Sequence, residues 1–347
     1  MLLRLLLLPL LLLPCTAQAA LSYRGEISLY EDTVWEGEVL IDGILTVAMG
    51  VTLEIRPGTV IRFTRFDSNS DQIGEHEIFI QGRLLARGTA ENPIIFTSAE
   101  KNPRVSDWGA VNMMMSDVEP NIIENCLFEY AYRGFHAHFS NAELHHSCFQ
   151  FNQRGAQFQE SDVLIDDCLF ENNFNGLQFR DATVHLSDST IRNNNWGVRA
   201  VYVELKMENN LISNNRVNGV SLRDSGFVLH NNQIINNRRG FYLQRSRGVA
   251  DGNRIAGNLE HGIYLEDSLV DLSTNWITDN GRSGIKVNDA GGDVRDNRIN
   301  GNHQMALVND GEDDFALDVN WFAEPPVIID QQLRPSVGRI TVVAPNY

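Results

Sequence analysis

The chain has 347 residues, with 28 Lys and Arg against 45 Asp and Glu, for a formal charge of −17. That acidity excludes nucleic acid and anionic lipid as bulk partners, because both demand surplus basic side chains. It would also repel an anionic polysaccharide unless basic groups were gathered locally, while an apolar fraction of 43% is ample for a folded core.

Residues 1–19 read as an export signal and not as part of the fold. Arg4 supplies a positive start, Leu5 to Leu13 form a short apolar run, and Ala17-Gln18-Ala19 fits a small-residue cleavage site. The run is too short to span a bilayer, which needs roughly 20 residues. The expected destination is the periplasm, the outer surface or the medium, with no transmembrane segment in the mature chain. Cys15 raises lipid attachment as an alternative, which Pro14 beside it opposes.

Residues 20–125 carry β-type alternation with longer connections. Val39-Leu40-Ile41, Leu53-Glu54-Ile55, Val60-Ile61-Arg62-Phe63 and Ile78-Phe79-Ile80 alternate cleanly, and Gly43, Gly50, Pro57-Gly58 and Gly82 punctuate them. No segment sustains a 3.6-residue period, so helix is expected to be nearly absent. Two polar stretches, 65–76 and 98–107, read as loops projecting from the scaffold.

Residues 126–322 repeat. An apolar residue recurs at Leu127, Phe149, Leu169, Ile191, Ile212, Ile234, Ile255, Ile277, Ile299 and Phe322, at spacings of 20 to 23 residues. Asn follows three residues later (Asn152, Asn172, Asn194, Asn215 and onward), and Gly six or seven later (Gly134 through Gly284). A fixed period near 22 marks an all-β solenoid in which each coil buries its apolar face only against its neighbours. In the coil around Ile234, the residues Phe227, Leu229, Asn232, Phe241 and Leu243 should face inward. Two residues before the apolar position lies a column of Asn125, Ser147, Asp167, Ser189, Asn210, Asn232, Asn253, Asn275, Asn297 and Asn320. It reads as a ladder of stacked side chains that satisfy one another. The Gly column reads as backbone freedom at a turn. Residues 323–347, opening on Pro325-Pro326, are expected to cap the open end with short strands.

Cys126, Cys148 and Cys168 each precede the apolar position by one residue, which would stack them about 4.8 Å apart, inside the disulfide window of roughly 4.4–6.8 Å. One bridge with a leftover thiol and three free thiols both fit that spacing.

The Ile-x-x-Asn-x-x-x-Gly coils resemble right-handed parallel β-helix repeats, as in pectate lyases and related exported bacterial proteins. Trp35-Glu36-Gly37-Glu38-Val39, Pro57-Gly58-Thr59 and Ala86-Arg87-Gly88-Thr89 are similar to the opening of such proteins, and Asn320-Trp321-Phe322 to their close. The resemblance implies a single-stranded right-handed parallel β-helix of about 13–14 coils with short caps at both ends. It does not imply one activity, because this fold hosts lyases, hydrolases, epimerases, adhesins and an accessory protein of copper enzymes.

Coils this lean leave little chain for the walls of an active site. The expected role is a non-catalytic module of the cell envelope that binds an extended polysaccharide or serves a structural role, as a monomer and with no cofactor implied. The candidate contacts are the residues that alternate outward after each Gly: His136, His138, Gln157, Gln178, Arg180, Arg199, Arg223, Tyr242 and Tyr264. Amides and guanidiniums suit carboxylates and hydroxyls, and tyrosines suit sugar faces. The alternatives are a lyase or hydrolase acting on an acidic glycan and, second, a periplasmic copper accessory protein that would use His136 and His138 as ligands.

Overall fold

A computed structural model describes residues 21–323, 325–330, 332–334 and 336–343. The expected export signal, with Cys15, lies outside the described residues. The described chain is a parallel β-solenoid without helices. A typical coil is built from Asn218–Arg223, Gly226–His230 and Gln233–Ile235, and the next begins at Arg239–Gln244. Strands after the Gly form a glycine face, the second strands a middle face, and the three-residue strands a short face. The middle face is a separate 12-stranded sheet, while the other two share 25 strands because Glu38–Val47 runs through both.

Three corners close each coil between Cys126 and Asn300, and each carries one residue with positive φ. In a representative coil these are Asp224 (52°), Asn231 (53°) and Asn236 (57°). Asp and Asn dominate the corners because their short polar side chains tolerate the left-handed region. The buried ladders occupy the positions immediately after two of these corners. Asn232 donates its backbone N–H (2.9 Å) and its Nδ2 (3.1 Å) to Oδ1 of Asn253, and that pattern continues through Asn275 and Asn297 to Asn320. A second ladder runs Asn152, Asn173, Asn194, Asn215, Asn237, Asn258, Asn280, Asn302. Stacking thus satisfies buried donors and acceptors within the column itself.

The inward assignments around Ile234 hold: Phe227, Leu229, Asn232, Ile234, Phe241 and Leu243 are all buried. The register differs at two early coils, where the inward residues are Phe128 and Phe170 and not Leu127 and Leu169. Larger rings win these sites because they stack on their neighbours. Phe96, Phe128, Phe149 and Phe170 lie nearly parallel with centroids 4.4, 4.8 and 4.7 Å apart. The same slip moves the ladder, so its first and third rungs are Cys126 and Cys168, while Asn125 and Asp167 are corner residues and Asn173 replaces Asn172.

The expected cysteine column is therefore wrong. Ser147 stands between Cys126 and Cys168, and Cys148 pairs in register with Leu127 and Leu169 in another column. All three thiols are free. Burial pushes them up, Cys148 to about 11 and Cys168 to about 12, which favours the protonated thiol.

The Gly column also has another cause than the one expected. Its members from Gly134 to Gly284 do not have positive φ. What they allow is close approach, since a Cβ on Gly240 would lie 2.3 Å from the carbonyl oxygen of Gly262. Gly240→Ala is expected to force adjacent coils apart and cost about 1–3 kcal/mol, read as a lower urea midpoint.

The loops at 65–76 and 98–107 occupy equivalent corners in neighbouring coils and pack on each other. The Gly74 N–H donates to the Ser106 carbonyl at 2.8 Å, Arg65 approaches Asp107 at 3.9 Å, and buried Asp107 accepts from Ser98 Oγ at 2.7 Å. Both lead into the glycine face at its N-terminal end.

Candidate binding face

The residues expected to line one strip do share the glycine face, and the pairing puts them in register. His136 pairs with Gln157, Gln157 with Gln178, Gln178 with Arg199, Arg199 with Ser221, Ser221 with Tyr242, and Tyr242 with Tyr264. His138, Gln159, Arg180, Val201 and Arg223 form the neighbouring column. A third outward column was missed by counting only after the Gly. It holds Arg133, Arg154, Asn175 and Trp196, then Asn218 and Arg239, each one residue before a glycine. A basic residue before Gly in several coils was the available signal.

Charge is unevenly divided between faces. From Arg133 to Asn288 the outward strand positions of the glycine face carry Arg133, Arg154, Arg180, Arg199, Arg223, Arg239 and Lys286 against Glu266 alone. The middle face, over coils from Ala142 to Ser273, carries Glu143, Asp162, Asp166, Glu204, Glu208, Asp251 and Asp271 against Lys206 and Arg247. One face of an acidic protein is therefore basic.

Not all of those cations are free. Arg239 is held at 2.8 Å by Glu260, which also meets Arg238 and Arg282. Arg180 and Arg223 lie near corner residues Asp181 and Asp224, and Lys286 pairs with Asp310 at 2.6 Å. Arg133, Arg154 and Arg199 have no ion-pair partner among the described residues. Arg133 and Arg154 both lie over the Tyr132 ring, at 5.0 and 5.2 Å, and Arg199 over Trp196 at 5.3 Å. Aromatic faces offer partial compensation for the charge. The guanidiniums also feel one another, as burial and the charges of Arg133 and Arg199 lower the affinity of Arg154 for its proton. Arg133 Nε is buried without a hydrogen-bond partner.

Two expected contacts are themselves covered. His136 is 5% and Gln157 6% exposed, and Arg154 donates to Gln157 Oε1 at 2.6 Å. His136 Nδ1 lies 2.8 Å from Asn112 Oδ1, and Nε2 lies 3.2 Å from Gln159 Oε1. Burial, with Arg133 beside it, lowers its pKa from 6.5 to about 4. His261, hydrogen-bonded to Ser283 Oγ at 2.7 Å, is lowered to about 4 by burial and by Lys286. Glu77, beneath the N-terminal end of the face, is raised by burial despite a bond from Asn112 and the charge of Arg133.

These shifts make stability pH-dependent. Between pH 6.5 and about 4 the unfolded chain takes up protons that folded His136 and His261 refuse. Acidification through that window therefore favours unfolding, by at most about 1.4 kcal/mol per pH unit for each histidine. Denaturation midpoints should fall between pH 6.5 and 5, and His136→Gln should flatten the dependence.

The tyrosines are less open than expected. Tyr242 and Tyr264 have ring centroids 5.1 Å apart, with Arg239 over Tyr242 (5.6 Å) and Lys286 over Tyr264 (4.7 Å). Tyr242 also donates its hydroxyl to Glu266 at 2.8 Å, which with burial raises its pKa to about 12. Cations thus occupy the flanks of the pair, whereas the guanidiniums without ion-pair partners among the described residues lie at the other end of the face. His136 and His138 do not gather a metal shell: His138 lies 2.6 Å from Glu160, and no group of three metal-ligating residues occurs among the described residues. Among the same residues, no helix is long and apolar enough to cross a membrane.

Solved structures of like fold include a double mutant of the periplasmic alginate epimerase AlgG. It is 14% identical at a TM-score of 0.52, covering 88% of this chain and 76% of that one. The Dettilon tailspike protein (13% identical, TM-score 0.38, 88% and 62% covered) also matches. So does the A-module of an Azotobacter vinelandii mannuronan C-5 epimerase (12%, TM-score 0.30, 93% and 89%). No curated protein sequence matches the chain. The family model for a pectate-lyase like beta helix domain matches residues 25–118, and that for a right handed beta helix region matches 94–206 and 180–322. With both models placed on a solenoid of parallel coils, the chain belongs to the right-handed β-helix family.

Proposed function

We propose that the protein is an exported, non-catalytic binding module that holds an extended anionic polysaccharide along its glycine face. The observation that most supports this reading is the trio Arg133, Arg154 and Arg199, which form no ion pair among the described residues of a chain of charge −17. Like charges held together are costly in isolation, and an anion relieves them. Guanidiniums pair with carboxylates through two parallel hydrogen bonds, so a sugar acid fits them better than a neutral glycan does. A polymer is favoured over a small anion because the basic face spans many coils. Each coil rises about 4.8 Å, comparable with one sugar residue in an extended chain.

One observation favours the rival, acid–base cleavage by a lyase or hydrolase. Neutral His136 lies near two guanidiniums, and the raised carboxyl of Glu77 lies at the same end. Against it, both nitrogens of His136 are engaged and the ring is covered.

The test is retention on immobilised alginate or polygalacturonate. The expected result is retention at low salt, elution as salt rises, and none on neutral dextran. No retention on either polyanion overturns the reading. Release of unsaturated or reducing ends, abolished in His136→Gln, would replace it with the enzymatic one.

A further inference from the structure

The short face carries a feature that the strip does not use. In one outward column, Arg254 pairs with Trp276, Trp276 with Arg298, and Arg298 bridges to Trp321. The guanidinium of Arg298 lies 5.0 Å from the Trp276 ring centroid. Trp276 is 54% and Trp321 60% exposed, the two most open tryptophans among the described residues. Neither arginine has an ion-pair partner among the described residues, although nearby Arg282 and Arg295 do. Single exposed apolar residues need no explanation, but two indoles alternating with two guanidiniums that lack ion-pair partners among the described residues, on successive coils, form an organised surface.

The chemistry of that surface is that of a ligand with both apolar faces and negative charge. Indoles pack against the C–H faces of sugar rings, and guanidiniums pair with carboxylates. The two tryptophans stand two coil rises, or about 10 Å, apart. Stacking of Arg298 on Trp276 holds both groups in place before a ligand arrives, which reduces the ordering cost of binding. Charge complementarity selects an anionic partner, as on the glycine face, from which this column is separated by a corner of the solenoid.

We infer that the Arg254–Trp276–Arg298–Trp321 ladder is a second site for an anionic polysaccharide, so that one molecule bridges two polymer chains. The inference rests on the proposed binding function and adds to it a cross-linking role. Two sites joined by a rigid scaffold on different faces cannot readily engage one stiff segment together, so their joint effect is to connect chains.

The test uses the full-length protein with long-chain polygalacturonate, followed by light scattering and tryptophan fluorescence. Wild type should raise scattering at intermediate protein-to-polymer ratios and lose that signal at protein excess, when every polymer site is filled. The W276A/W321A variant, altered only at exposed positions, should still bind through the arginine trio but give no rise in scattering. The R133A/R154A/R199A variant should also fail to cross-link, yet its fluorescence should still change on titration because Trp276 and Trp321 report the remaining site. Undiminished scattering in W276A/W321A overturns the second site. So does a fluorescence change that anionic lipid vesicles produce and polygalacturonate does not. Failure of wild type to bind any polyanion is a separate outcome, and it overturns the first reading together with the second.

Discussion

Ile234→Asp is expected to cost about 4–5 kcal/mol or more and to abolish cooperative folding or lower its midpoint severely. The side chain is fully buried between Ile212 and Ile255 in the coils on either side. A carboxylate there meets no donor, because the ladder amides nearby already bond to one another. It would be desolvated or forced to protonate, and either state leaves a gap in a close-packed column. The adjacent substitution Ile235→Asp is the control. Ile235 points outward and is half-buried, so its replacement should change stability by a small fraction of that amount. Equal losses at the two positions would contradict the inward register on which every outward column depends. Chemical denaturation of both variants reads the difference.

The second large effect concerns binding. Changing Arg133, Arg154 and Arg199 together to alanine removes the three cations of the glycine face that form no ion pair among the described residues. A charge-assisted hydrogen bond contributes about 1.5–3 kcal/mol, so even partial engagement of the trio predicts at least a 100-fold loss of affinity for a polyuronate at low salt. The dependence of affinity on salt should flatten as well, because fewer ion contacts are formed. The companion change Tyr242→Ala/Tyr264→Ala, in the pair flanked by Arg239 and Lys286, should weaken binding far less. Titration calorimetry with alginate oligomers checks both. A tyrosine variant more damaged than the arginine variant would move the site to the other end of the face.

Much of this architecture is legible in the residues themselves. Ile, Asn and Gly recurring at a near-constant period announce coils, and the alternation around Ile234 identifies the inward residues correctly. The early coils misled because Cys126-Leu127-Phe128 and Cys168-Leu169-Phe170 offer two apolar side chains in succession. Only the stacking of one phenylalanine ring on the next decides which one turns inward. The Gly column was visible, but its reason was not, since contact with a carbonyl of the next coil is a property of stacking and not of local backbone preference. The basic face was half legible. Arg180, Arg199 and Arg223 follow from alternation after the Gly, whereas Arg133 and Arg154 stand before it, and simple alternation does not extend across that position. Which of these cations stay uncompensated depends on corner residues and neighbouring coils. Glu260, for example, is distant in sequence from the strand it neutralises only by the length of one turn of the solenoid. The Arg–Trp ladder escaped for a similar reason, because Arg254, Trp276, Arg298 and Trp321 become neighbours only when four coils are placed in register.

A structure of the protein with an acidic oligosaccharide tests the central claim most directly. A sugar chain should lie along the glycine face, nearly parallel to the solenoid axis, with carboxylates at Arg133, Arg154 and Arg199. A ligand seated only in the opposing groove of about 810 Å³, lined by Glu143, Leu164, His185 and Lys206 on the middle face, would contradict it.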